Sequence, residues 1–350
     1  MIKEIDKLTK WDSLSISILI FSVILILFSF FSPLIFTNHQ ISEFQFSDTG
    51  QIGDTLSGLM NPFIGIAGVF LTFLAFYIQF KANKLQRTQF KLELTQQQSQ
   101  FKKSQFENQF YEMLRLHKEN VNEIRITNPK KGYDLTGRQV FELFKLEFEV
   151  CYHIARKSFP DESIKTCVNE AYGVFFHGIH EKNLDQHAYF GILYKVKSVH
   201  EKENYTSLPQ WAGHFADVNI TFNLDFPLFM GYSSQLAHYY RHLFQTVKFI
   251  ASQETSFLTY EEKRKYLRIL RAQLSNPEQT MIFYNWYSGF GKQWENNVNK
   301  FFTDYRMIHN LYQALLLSDI KLEDLFDING DYLKEKDKEK DYLFEYQDWE

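Results

Sequence analysis

The feature that most constrains this chain is a long segment near its N-terminus without a charged side chain. No Asp, Glu, Lys or Arg occurs between Asp12 and Glu43, and residues 16–36 are almost entirely apolar. At about 1.5 Å per residue, this segment forms a helix of about 31 Å, which matches the hydrocarbon core of a bilayer. The run is too long for a signal peptide, and no small-residue cleavage site follows it. We therefore predict a transmembrane helix over residues 16–36.

A second charge-free window extends from Thr55 to Phe80, and residues 62–80 are its most apolar part. Asn61 and Pro62 are typical of a helix start, because Asn caps helices and Pro is tolerated in the first turn. A helix over residues 62–80 is about 28 Å long, which is just sufficient to cross a membrane. A buried core helix is the alternative, but this uniformly apolar composition favours a second transmembrane helix.

The distribution of Lys and Arg predicts the orientation of this membrane anchor, residues 1–80. The loop 37–53 contains neither residue, whereas basic residues occur on both flanks: Lys3, Lys7 and Lys10 before the first span, and Lys81, Lys84, Arg87 and Lys91 after the second. By the positive-inside rule, both termini are cytoplasmic and the loop 37–53 is outside. The sequence therefore predicts a multi-pass protein of the cell membrane, with membrane lipid as a partner.

Residues 81–127 are predicted to form a cytoplasmic connecting helix. No Pro or Gly occurs between Gly68 and Pro129, so the second span continues as one helix that ends near Asn128. Apolar residues recur partly at heptad spacing, as in a coiled coil, but the Gln-rich stretch 96–105 interrupts the pattern. Two interpretations stay open: a stalk that forms a homo-oligomer, or a signal-carrying helix that packs on its own domain.

Residues 106–328, which overlap the end of the connecting helix, are predicted to form a helical cytoplasmic domain. Apolar residues recur at helical spacing, alternating β patterns are weak, and the fold class is therefore all-α. Capping signals begin helices at Thr259 and Ser275. The predicted helices are 136–159, 234–250, 260–274, 276–287, 294–305 and 307–317.

Charge and cysteine content exclude several classes of function. The net charge is −4, and the tail 329–350 alone has four Lys and eight acidic residues, so the chain has no nucleic-acid footprint. This charged tail is predicted to be mobile. The two cysteines, Cys151 and Cys167, are expected to be buried and reduced. No phosphate-binding glycine loop, GxSxG or Cys-His signature occurs, so we predict neither a cofactor nor a catalytic residue.

Six polar residues are candidates for a functional role. Asp54 and Asn61 lie in a glycine-containing segment at the outer edge of the second span. This segment either lines a pore or senses an outside signal, or it is an interfacial turn. Arg271 and Glu278 are expected to form a buried pair that bridges two helices, or else to contact a ligand or partner. The other two candidates, Arg241 and His242, are adjacent on a predicted helix.

The histidines give weak metal and nuclease signals. His238 and His242 have the i, i+4 spacing of a metal pair but lack the carboxylate of HExxH, and His177 with His180 is weaker still. Arg241-His242 and Arg306 with His309 do not have the R-x4-6-H spacing found in many defence ribonucleases. We therefore expect packed or surface histidines, and no metal site.

Three segments together resemble the phage abortive infection proteins of the AbiC-like family. They are Gly53–Pro62 with its continuation to Asn83, His238–Phe244 with Lys248–Ile250, and Arg268–Glu278 with Phe283–Asn285. The resemblance implies a bacterial protein that limits phage multiplication, usually at the cost of the infected cell. It supplies no catalytic residues.

Two functional hypotheses follow from this resemblance. The first is a non-enzymatic, membrane-anchored protein whose cytoplasmic domain detects a phage product, with a phage protein as its partner, and which acts at the membrane. The second is a membrane-tethered nuclease. The sequence favours the first but leaves open whether the chain is an enzyme.

Overall fold

A computed structural model describes residues 12–36, 49–128, 132–179, 188–202, 226–328 and 342–348. The chain divides into two units, Met1–Phe106 and Glu107–Glu350. The described residues are mostly helical, as predicted from the apolar spacing.

The first unit contains helix α1, Ser13–Phe36, and the N-terminal part of helix α2, Thr49–Glu123. Edge-to-face ring pairs join Phe28 to Phe63 and Phe21 to Phe70, with ring centroids 4.9 and 5.3 Å apart. Farther along, the Tyr77 hydroxyl donates to a carboxylate oxygen of Asp12 at 2.5 Å. Along these three contacts the residue numbers fall on α1 while they rise on α2, so the two helices run antiparallel.

Both helices of this unit are long and apolar enough to cross a membrane. Large apolar side chains cover their outer surfaces, and Leu34, Val69 and Phe76 are each about 70% exposed. In water such a surface is strongly unfavourable, whereas in hydrocarbon it needs no covering.

Helix α2 differs from the predicted second span and connecting helix at both ends. It begins at Thr49 rather than Asn61, so Pro62 lies inside the helix, and it ends at Glu123, before the predicted Asn128. Transmembrane helices tolerate an internal Pro better than soluble ones do. The chain then forms a short antiparallel hairpin of β1, Arg125–Thr127, and β2, Asp134–Thr136, which the all-α prediction did not include.

The second unit is built around helices that bury large aromatic side chains. Their bounds are α3 Gln139–Ser158, α4 Ile164–His177, α5 Ala188–Lys202, α6 Ser233–Ala251, α7 Tyr260–Arg271, α8 Asn276–Tyr287 and α9 Leu322–Leu325. The helical spacing of apolar residues predicts one inner face for each of α3 and α6, and the residues of these faces are buried: Phe141, Phe144, Phe148, Tyr152 and Ala155, and Leu236, Tyr240, Leu243, Val247 and Ile250. Both cysteines are also buried and free, as expected.

Helix α8 lies in the centre of this unit. Its residues Glu278 to Asn285 are all buried, and it packs on α3 and α4. The predicted cap at Ser275 is present, and with the Glu278 carboxylate it forms a full capping box that defines the start of this buried helix. The predicted box of Thr259 and Glu262 is also present at the start of α7.

The predicted α-helices over residues 294–305 and 307–317 are wrong, because this region consists of turns and bends with one short 3-10 helix, Gln313–Leu315. The Glu295 carboxylate accepts hydrogen bonds from the backbone N–H groups of Phe302 and Thr303, at 2.8 and 3.2 Å. Arg306 has a positive φ of 59°, which ends any helix there. Apolar spacing matched a helix, but the side-chain bonds stabilise a folded loop instead.

Part of the tail predicted to be mobile is packed on the second unit. Residues 329–341 and 349–350 lie outside the described residues, but Leu343 and Phe344 are fully buried. The Phe344 ring contacts Phe326, and the backbone N–H of Glu345 donates to the His309 carbonyl at 2.8 Å. The charge of the surrounding sequence concealed this short apolar anchor.

Candidate functional site

The structure places the predicted candidate residues in different surroundings. Asp54 and Asn61 are exposed on α2 in the first unit, inside the helix rather than at a turn, and the Asn61 amide donates to the Ser57 hydroxyl at 3.0 Å. In the second unit, Arg241 is exposed on α6 and His242 is half-buried beside it.

The predicted pair of Arg271 and Glu278 is wrong. The Arg271 guanidinium donates to the carbonyl of Arg306 at 3.0 Å, and burial lowers its pKa to about 10. Glu278 has other partners in the described part of the chain. Arg271 therefore holds the loop after α8, whereas Glu278 belongs to a separate polar cluster.

Glu278 is the centre of this cluster and is completely buried. One carboxylate oxygen accepts the backbone N–H and the hydroxyl of Ser275, both at 2.7 Å, and the other accepts the Tyr239 hydroxyl at 3.1 Å. The guanidinium of Arg138 lies 3.6 Å away. Burial raises the pKa of Glu278, although these donors favour the charged form.

His117, on the last turns of α2, lies against the same cluster. Its Nε2 is 4.0 Å from the Glu278 carboxylate, which is too long for a hydrogen bond. Burial lowers the pKa of His117 to about 4, with smaller contributions from His242 and Arg138, so the ring is neutral near pH 7. The two groups therefore do not form an ion pair.

The His117 ring lies between two aromatic neighbours on α6. Its centroid is 5.5 Å from the Tyr239 ring and 6.3 Å from the His242 ring, which is nearly parallel to it. Neither nitrogen of His117 has a hydrogen-bond partner among the described residues, and Nδ1 of His242 also has none. Buried polar atoms are nearly always paired, so this cluster is unusual.

Arg138 is positioned by the hairpin that follows α2. Gly137, with a positive φ of 61°, turns the chain from β2 into α3, and Arg138 follows immediately. The half-exposed guanidinium spans the gap to the turn before α8 and donates to the Gln273 carbonyl at 2.5 Å. It thereby links the hairpin to the start of α8.

An open pocket of about 570 Å³ lies above this cluster. It is lined by His117, Lys118, Val121, Asn122, Thr136, Gly137, Arg138, Gln139 and Gln273. This volume is in the range of small-molecule sites, about 300–1,000 Å³.

The histidines at metal-like spacing in the sequence do not line this pocket. His238 is exposed on α6, and His180 lies outside the described residues. No group of three His, Cys, Asp or Glu side chains in the described ranges could hold a metal ion. Arg306 and His309 instead bind the C-terminal segment, through contacts to the carbonyls of Tyr342 and Leu343 at 3.2 and 2.9 Å.

Sequence comparison identifies one family for the part of the chain that contains α6, α7 and α8. The model of the family described as "Putative phage abortive infection protein" matches residues 231–315. The match confirms the predicted family resemblance over this segment. The matched segment includes Tyr239, His242 and Glu278 of the cluster. Neither a curated protein nor a solved structure matches the chain.

Sequence reasoning missed His117, Arg138 and Tyr239 as members of one cluster. They lie on three different elements, and His117 is separated from Glu278 by more than 150 positions. The only available signal was a His at an inward-facing position of α2, in a stretch otherwise apolar on that face. A single sequence does not indicate which distant carboxylate meets it.

Proposed function

We propose that the chain is a membrane-anchored bacterial phage-resistance protein that acts by abortive infection. The observation that carries this proposal is the family match over residues 231–315. This segment contains the buried helix α8 and Glu278, whose carboxylate forms the capping box at the start of that helix.

The membrane location rests on helices α1 and α2. Two helices that are long and apolar enough to span a bilayer occur in one unit, and their apolar side chains face outward. In a soluble protein such residues would be covered by other elements. The basic residues beyond each helix favour an arrangement with both termini in the cytoplasm.

Within this proposal the second unit detects infection in the cytoplasm, through a phage protein, and the effect is exerted at the membrane without catalysis. The nuclease alternative has less support. Of its two Arg and His pairs, Arg306 and His309 bind backbone carbonyls of the C-terminal segment, and Arg241 is an exposed residue beside the half-buried His242.

The test is the efficiency of plating of a panel of phages on a bacterial host with the wild-type chain and with empty vector. We expect reduced plating of at least one phage, and growth arrest of the culture without phage release when most cells are infected. Equal plating of every phage would overturn the proposal.

The same cultures separate the two mechanisms. Intact RNA and DNA during infection, with full protection by Arg241→Ala and His242→Ala, agree with the non-enzymatic mechanism. Degraded nucleic acid, and loss of protection in either variant at unchanged protein level, would favour the nuclease.

A further inference from the structure

The floor of the pocket above Glu278 contains hydrogen-bonding capacity that the protein itself does not use. His117 is about 99% buried, lines the pocket, and has no hydrogen-bond partner for either ring nitrogen among the described residues. Leaving such a group unpaired costs about 1–3 kcal/mol. Because the ring is neutral, one of its nitrogens is a donor and the other an acceptor.

The walls of the pocket determine the charge of the molecule that fits it. Two of the residues around it are cationic, Lys118 and Arg138, and none is acidic. Glu278 offsets part of the Arg138 charge from beneath, but its oxygens are occupied by Ser275 and Tyr239. Lys118 is exposed at the surface of the second unit, so its ammonium is available to an incoming anion.

The remaining lining groups suit a polar organic molecule. The side chains of Asn122, Gln139 and Gln273 supply amide donors and acceptors, whereas Val121 supplies an apolar surface. A planar guanidinium and a nearby ammonium are the groups that proteins use most often for phosphate. The volume accommodates a molecule of roughly mononucleotide size.

We propose that this pocket, which has Lys118 and Arg138 at its walls and His117 at its floor, binds a small organic phosphate of mononucleotide size. The cations bind the phosphate, and the imidazole and amide groups bind the polar ring or sugar. This site goes beyond the proposed function and is independent of it, because binding is measured on the purified chain.

The experiment uses the full chain in detergent micelles and measures its thermal unfolding and equilibrium binding with defined probes. The probes are inorganic phosphate, the four ribonucleoside monophosphates, and the corresponding nucleosides without phosphate. The variants are Lys118→Gln and His117→Gln, and Lys157→Gln is the matched control because it removes an exposed Lys on α3 outside the pocket.

We expect at least one monophosphate to bind, and to bind at least tenfold more tightly than its nucleoside. Lys118→Gln should weaken this binding about tenfold, because it removes one charge-assisted contact. Lys157→Gln should bind as the wild type does. Since Lys118 is exposed, its replacement leaves the fold intact.

The proposal is overturned if no monophosphate binds the wild type, or if nucleoside and monophosphate bind equally. It is also overturned if Lys118→Gln and Lys157→Gln have the same affinity as the wild type, since the phosphate then binds elsewhere. His117→Gln keeps a donor and an acceptor, and weaker binding at unchanged melting temperature would confirm that the floor contacts the ligand. Unchanged binding by this variant would refute that part of the assignment. These results stand whether or not the chain alters phage plating.

Discussion

Replacing Glu278 by Ala removes the acceptor of three hydrogen bonds inside the second unit. The backbone N–H of Ser275 loses its cap, and the Tyr239 hydroxyl remains buried without its acceptor. Loss of a helix cap costs about 1 kcal/mol, and a buried donor without a partner costs about 1–3 kcal/mol. We therefore expect Glu278→Ala to lower the free energy of unfolding by about 3 kcal/mol.

The chain contains a matched control for this change. Glu262 forms the same capping box with Thr259, but the hydrogen bonds of this box are exposed to solvent. Glu262→Ala should therefore cost only the cap, about 1 kcal/mol. The difference between the two variants isolates the contribution of the buried cluster.

The assay is thermal unfolding of the full chain in detergent, followed by intrinsic tryptophan fluorescence. For a unit of this size, 1 kcal/mol shifts the melting temperature by about 2–4 °C. Glu278→Ala should therefore lower it by about 6–12 °C and Glu262→Ala by about 2–4 °C. Glu278→Gln, which keeps an acceptor, should lose less than Glu278→Ala. Equal shifts for the two alanine variants would show that the buried cluster adds no stability to α8 beyond the cap.

Three further variants test other parts of the second unit. Burial raises the pKa of Glu147 from 4.5 to about 7, so the folded state binds more protons and stability falls by about 3 kcal/mol as pH rises through this range. Glu147→Gln should remove this fall. If the difference in unfolding free energy between this variant and the wild type is the same at pH 5 and at pH 7, the assignment is wrong. If the buried C-terminal segment stabilises the fold, Phe344→Ala should lower the free energy of unfolding by about 3–5 kcal/mol. In the same denaturation series, Val298→Ala at an exposed position should cause no measurable loss. Gly178→Ala places a Cβ 2.5 Å from the Met230 carbonyl at a positive φ, so its expression as folded protein should drop, whereas Gly173→Ala in open space should not change it.

The sequence predicted those elements whose signals are local. The two apolar spans were evident from the absence of charge. The starts of α7 and α8 followed from Thr259 and Ser275, because the two residues of a capping box are only three positions apart. The apolar faces of α3 and α6 were predicted equally well, since one helix period determines them.

The errors occurred where distant contacts override local preference. The Glu295 carboxylate binds backbone groups seven and eight positions later, so residues 294–305 fold into a loop although their apolar spacing fits a helix. Phe344 is buried and packs against Phe326, eighteen positions earlier, and its charged flanks concealed this. The pairing of Glu278 could not be read from the sequence either, because Arg271, seven residues away, turns to the Arg306 carbonyl instead.

If the chain acts as proposed, protection against phage requires it to be embedded in the membrane. Ile24→Arg with Val69→Arg places a cation on the outer surface of each span. Each Arg costs about 2.5–3.5 kcal/mol at the centre of a bilayer. The control is Gln97→Arg, which adds a cation to an exposed position of α2 beyond its apolar part.

The measurement is the efficiency of plating on hosts that carry each variant at equal protein level, after the panel has identified a restricted phage. We expect the double variant to leave the membrane fraction and to lose protection, whereas Gln97→Arg keeps both. Full protection by a double variant recovered in the soluble fraction would contradict it.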